Sequence, residues 1–106
     1  MKISTIQLNI IHFLAKHSKG LITIETVSPF KDHYGTMLLT FEPDNFFGFG
    51  LESSLITAYL LEDGTTIKLH FTVCDSLSGS VSQDLMESGW KKKLADKCKL
   101  HLRSLE

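Results

Sequence analysis

The stretch SLITAYLLEDGTTIKLHFTV, residues 54–73, decides the fold. At its centre lies Asp63-Gly64, a dipeptide favoured by two-residue type I′ turns because both central residues need positive φ. Pairing Glu62 with Thr65 across that turn sets Leu60 opposite Ile67, Ala58 opposite Leu69 and Ile56 opposite Phe71, all on one side. The other side receives Thr57, Tyr59, Thr66, Lys68, His70 and Thr72, with Leu55 and Leu61 as apolar exceptions. Turn chemistry and period-2 alternation select the same register independently, so the stretch reads as a half-buried antiparallel hairpin.

Working outward, YGTMLLTFEP (34–43) reads as a strand with Met37, Leu39 and Phe41 on one face, stopped by the turn formers Pro43-Asp44-Asn45. FFGFGLE (46–52) reads as a short aromatic strand, bulged or curved at Gly48 and Gly50. GLITIETVSPF (20–30) supplies another strand, and LNIIHFLAKHSK (8–19) a short helix ended by Gly20, with room for a short strand over residues 2–7. Downstream of the hairpin, Ser80 and Gln83 have capping-box spacing, which predicts a helix from about Val81 to Leu105. Such a helix would be roughly 37 Å long and would have to cross the sheet. Met86, Trp90, Leu94, Cys98 and Leu102 recur along it at four-residue intervals, an apolar stripe for the sheet. Gly89 then falls in the helix interior, at a cost of about 1 kcal/mol relative to alanine. Two reasons could offset that cost: close approach to another backbone, or room for Trp90 beside a cavity.

Composition sets the outer bounds. The 106 residues suit one domain spanning 1–106, and a hydrophobic fraction of 42% with 22% charged residues is that of an ordinary globular protein. The net charge of −1 leaves no overall basic field to hold nucleic acid or an anionic membrane. The local run Lys91, Lys92, Lys93, Lys97, Lys99 and Arg103 reads as the solvated face of a helix. Cys74 and Cys98 make neither a disulfide framework nor a zinc site. Polar residues interrupt the N-terminal apolar segment and no run is long enough to span a bilayer, so the expected location is cytoplasmic.

The ordered series of strands, the hairpin SSLITAYLLEDGTTIKLHFTV and the segment SGWKKKL resemble the helix-grip fold of the START/SRPBCC superfamily. Within it the chain is most similar to the activator of heat-shock-protein-90 ATPase homologue group. The similarity is carried by Ser54, Ile56, Thr57, Gly64, Thr65, Ile67, Leu69, Phe71, Gly89, Trp90, Leu94 and Leu102. The stretch GTMLLTFEPDNFFGFG adds Gly35, Leu39, Pro43 and Phe47. This resemblance implies an α+β, helix-grip fold: a curved antiparallel sheet of about five to six strands with a long C-terminal helix across its concave face. It covers residues 33–106. The region before Gly35 is shorter than members usually carry, which would leave a cavity open, small or closed by a second subunit.

No catalytic constellation is legible. His12, His17, His33, His70 and His101 have no metal-ligand spacing, Gly48 and Gly50 do not complete G-x-G-x-x-G because position 53 is Ser, and no nucleophile stands beside a base. No metal or cofactor is expected, and an enzymatic role is the less favoured one. The expected site is an apolar cavity between sheet and C-terminal helix, lined by Phe41, Phe49, Ile56, Ala58, Leu60, Ile67, Leu69, Phe71, Gly89, Trp90 and Leu94, and able to take a small apolar ligand or a partner. A cyclase- or lyase-like enzyme using the same cavity and a chaperone-interaction domain are the alternatives, the latter by family resemblance alone. Leu55, Tyr59 and Leu61, turned outward, are candidates for a homodimer contact.

Overall fold

The computed structural model describes residues 5–26, 35–44, 46–48, 54–61, 63–73 and 76–104. In chain order these form α1 (Thr5–Ala15), β1 (Thr23–Thr26), β2 (Gly35–Phe41), β3 (Ser54–Leu61), β4 (Thr66–Val73), β5 (Ser76–Asp84) and α2 (Trp90–Arg103). The strands make one open antiparallel sheet in the order β1-β2-β3-β4-β5, so each pairs with its neighbour in sequence. The class is α+β, with both helices on one side of the sheet.

The register of the central hairpin is the expected one: Leu60 pairs with Ile67, Ala58 with Leu69 and Ile56 with Phe71. Met37, Leu39 and Phe41 continue the same buried face into β2, and all of these side chains are essentially inaccessible. The turn is closed differently from the expected type I′. Gly64 has φ 75, but Phe47 is the one non-glycine residue with positive φ among the described residues, so Asp63 does not. A bond from the Gly64 amide to the Leu61 carbonyl (2.9 Å) closes the turn. The Asp63 carboxylate accepts from the Thr65 and Thr66 amides, both at 2.9 Å, and from the Thr66 hydroxyl at 2.6 Å. Those bonds hold the Asp63 carboxyl below its usual range, the Thr66 hydroxyl contributing most.

The chain after β4 departs most from expectation. Residues 76–84 are not the start of a helix but the edge strand β5, with Lys68 opposite Ser82 and Leu69 opposite Val81. The Ser80–Gln83 spacing suits a capping box, but Val81, Gln83 and Leu85 also alternate with Ser80, Ser82 and Asp84, and pairing with β4 satisfies backbone groups that a free segment would leave to water. One extra residue, Ser78, bulges the strand, and its hydroxyl donates to the Phe71 carbonyl at 3.0 Å. Leu85 donates to the Thr65 carbonyl at 2.7 Å and extends the ladder by one bond.

The terminal helix is therefore 14 residues, roughly 21 Å, instead of 25. Gly89 does not lie within it. It is the N-cap, with φ 71 and ψ 26 in the left-handed region, which glycine enters without a Cβ penalty. Met86 accordingly leaves the predicted stripe for the exposed β5–α2 turn, while Leu94, Cys98 and Leu102 are buried against the sheet as expected. At the other end, residues 5–7 belong to α1, not to a strand, and α1 stops at Ala15. The expected strand over 46–52 is a bridge at Phe46 followed by a turn at Phe47 and Gly48; Phe49 and Gly50 lie outside the described residues.

Candidate functional site

The residues expected to line the cavity lie for the most part in the buried core between sheet and helices. Phe41, Ile56, Ala58, Leu60, Ile67, Leu69, Phe71 and Leu94 are all at most 2% exposed and form one cluster with Cys98 and Leu102. Phe49 lies outside the described residues, and Gly89 stands at the surface, where an added Cβ would meet nothing within 4 Å. Of the predicted residues, Trp90 occupies the boundary: it is partly buried and packs on the edge of the core.

Around Trp90 the structure assembles an aromatic junction from three separate segments. In α1, Ile10 and Leu14 point one turn apart into the core and are completely buried. Phe13, beside Leu14, is thereby turned toward the N-terminus of α2, where its ring meets Trp90 edge-on at a centroid distance of 5.3 Å. His17 lies one turn beyond Phe13, with the rings 5.8 Å apart. The chain after α1 is laced to the end of β2: Lys19 donates to the Glu42 carbonyl and Asp44 to the His17 carbonyl, each at 2.8 Å. This lacing brings His17 beside the 46–48 turn, 5.4 Å from Phe46 and 4.3 Å from Phe47. Phe46 is buried and passes the contact inward to Phe71 at 6.0 Å and Phe41 at 6.4 Å. Phe47 stays partly exposed, 5.9 Å from Phe13. The result is a run of rings from core to surface, its outer members being Phe13, His17, Phe47 and Trp90. Ring pairs at these separations add about 0.5–1.5 kcal/mol each beyond area burial.

Two features set this junction apart from ordinary core. Phe47 has φ 49, a left-handed conformation that costs a bulky L-residue about 1–2 kcal/mol, so the neighbouring contacts hold it there. His17 sits among rings and next to Lys16; burial first, and the lysine second, push its pKa below 6.5. The imidazole is therefore predominantly neutral at neutral pH, with one donor and one acceptor nitrogen. Lys91 lies with its Nζ 5.8 Å from the Trp90 ring centroid, within cation–π range.

Burial pushes the Cys98 thiol up to about 12, which makes it a small hydrophobe and not a nucleophile. Gln83, buried on the helix side of β5, donates to the Asp84 carbonyl (3.1 Å) and to Glu87 Oε2 (2.7 Å). That hydrogen bond, and then Lys93 at 3.4 Å, hold the Glu87 carboxyl below its usual range. The cluster braces the β5–α2 turn. Among the described residues no three His, Cys, Asp or Glu side chains are grouped to hold a metal, and no helix is long and apolar enough to cross a membrane.

Sequence reasoning identified Trp90 and missed its neighbours. The Phe13–His17 spacing of four on a helix was a usable signal; nothing local joined it to Phe47 or Trp90. Leu55, Tyr59 and Leu61 lie on the opposite face of the sheet, Leu55 at 38% exposure. No protein-family model, no curated protein and no solved structure matches this chain.

Proposed function

We propose that the domain is a binding module that takes a small apolar or aromatic ligand at the junction of Phe13, His17, Phe47 and Trp90. The observation that carries this reading is a surface of partly exposed rings, continuous with the core through Phe46 and including a strained Phe47. The side chains between sheet and helices are buried and the partly exposed rings lie at this edge, where a ligand exchanges ring–water contact for ring–ligand contact. His17 supplies a neutral donor and acceptor to orient it. An antiparallel sheet followed by a helix packed on it supports a helix-grip arrangement of the START/SRPBCC kind, in which the gap between helix and sheet is the binding place; here α1 and α2 would frame its mouth.

The test is titration with 1-anilinonaphthalene-8-sulfonate, followed by energy transfer from Trp90, the chain's one tryptophan. Saturable binding is expected, weakened at least about tenfold by Phe47→Gly, since that substitution deletes a ring while removing the backbone strain. Trp90→Ala should cost about 2 kcal/mol of stability, less than the 3–5 typical of a fully buried large aromatic. Absence of saturable binding to the wild type, or binding indifferent to Phe47→Gly and Phe13→Ala, would overturn the reading.

A further inference from the structure

The net charge of −1 is the difference between two unlike parts. Of the chain's 11 basic and 12 acidic residues, α2 holds six basic and one acidic, so this helix carries +5 and everything outside it −6. Three of the six cations are engaged within the chain: Lys97 Nζ donates to the Ser82 carbonyl at 2.9 Å, Lys93 pairs with Glu87 at 3.4 Å, and Lys91 lies near the Trp90 ring. Lys92, Lys99 and Arg103 make no hydrogen bond or ion pair with any described residue. Because Leu94, Cys98 and Leu102 face the sheet, the opposite side of α2 looks outward, and the 3.6-residue period sets these three cations on one stripe there. Leu100, one turn from Arg103, is 70% exposed beside that stripe, and Met86 in the turn leading into the helix is 67% exposed.

We propose that the outward face of α2 docks on an anionic lipid bilayer, the helix lying flat with Leu100 entering between headgroups and Lys92, Lys99 and Arg103 on the lipid phosphates. An anionic surface attracts α2 and repels the rest of the chain, so the separation of charge that leaves the total near zero also orients the molecule. Asp96, one turn from both Lys92 and Lys99, is the one acid of the helix and weakens the face.

Two features favour a bilayer over nucleic acid. An exposed leucine among cations gains nothing from a phosphate backbone but leaves water when it enters the acyl boundary. The cations are five lysines and one arginine, point charges on flexible stems that suit mobile headgroups, whereas base recognition draws on arginine forks and stacking rings. The two rings of α2, Trp90 and His101, are turned to Phe13 and Phe71. None of Lys92, Lys99, Leu100 and Arg103 belongs to the aromatic junction, so this face is tested separately from the ligand site.

The test is co-sedimentation with vesicles of phosphatidylcholine containing one-third phosphatidylserine, against pure phosphatidylcholine, with circular dichroism confirming that each variant is folded. Wild type should bind the mixed vesicles alone, and less tightly as added salt shortens the screening length from about 30 Å at 0.01 M to about 10 Å at 0.1 M. Combining Lys92→Gln, Lys99→Gln and Arg103→Gln should weaken binding about a hundredfold, and Asp96→Asn should strengthen it at least about twofold. Leu100→Ser should weaken it at least about threefold, by removing the apolar contact. Lys19→Gln removes a cation outside α2 and should change it by less than about twofold. No binding to the mixed vesicles at low salt, equal binding to pure phosphatidylcholine, or indifference to the triple variant, to Leu100→Ser or to Asp96→Asn would each overturn the proposal. So would a loss on Lys19→Gln as large as that on Lys92→Gln alone, or tighter binding to a DNA duplex or to poly-glutamate than to the mixed vesicles.

Discussion

Gly89→Ala separates two accounts of the same residue by the sign of one number. In the interior of a helix, alanine would stabilise by about 1 kcal/mol over glycine. In the structure Gly89 instead precedes the helix at φ 71, its carbonyl accepting from the Lys93 amide at 3.1 Å. The surroundings contribute nothing to the outcome, because a methyl group there would touch no atom within 4 Å. What remains is the backbone: a left-handed conformation costs an L-residue about 1–2 kcal/mol. The smaller conformational entropy of the unfolded alanine chain returns about half a kcal/mol of that. Gly89→Ala should therefore destabilise by about 1 kcal/mol, a fall in Tm of roughly 4–8 °C for a domain near this size. Gly89→Asn should lose about half as much, because asparagine tolerates the region better. Urea unfolding should show a lower midpoint with an unchanged slope, since the surface exposed on unfolding is the same. A Gly89→Ala variant more stable than wild type would refute the assignment and return Gly89 to the helix interior.

Three further outcomes are expected. Gly79 has φ 140 and lies under the His101 ring, so Gly79→Ala must push that ring off Phe71; it should cost about 1–3 kcal/mol, and a double-mutant cycle with His101→Ala should show coupling. In a Cys74→Ser background, Cys98 should resist thiol reagents in the folded protein and react freely in denaturant, and rapid native labelling would contradict its burial. His17 and His70 are both held below 6.5, by burial first and then by Lys16 and Lys68 respectively, so the unfolded chain takes up protons earlier as pH falls. Stability should be complete above that value and decline below it, giving a lower Tm near pH 5 than near pH 7.5; replacing both residues with glutamine should flatten the difference, and a Tm that rises on acidification would exclude the effect. The carboxylates Asp63 and Glu87, also held low, act only further down the scale.

Some of this molecule follows from local pattern because two local signals coincide there. In residues 54–73 a turn signal and strict alternation agree, and a slip of one residue would turn every apolar side chain to the wrong face, so the register is over-determined. Met37, Leu39 and Phe41 are legible for the same reason, as is the Leu94, Cys98, Leu102 stripe, whose helical spacing has no competing strand reading. Residues 76–84 carry signals for both periods. Their serines, glutamine and aspartate have weak preferences, and the unpaired β4 edge gave the segment a strand's hydrogen bonds, which the segment's own residues do not announce.

The chain's own residues thus determine which side of each central strand is buried, where the hairpin reverses and which stripe of the last helix faces the sheet, because those choices are settled between neighbours in sequence. Tertiary structure alone decided that β5 exists, that Gly89 caps a helix instead of interrupting one, and that Phe13, Phe47 and Trp90 meet. In the first two the energy of each local conformation is nearly balanced and pairing with the β4 edge tips it, while the ring contacts join residues dozens of positions apart.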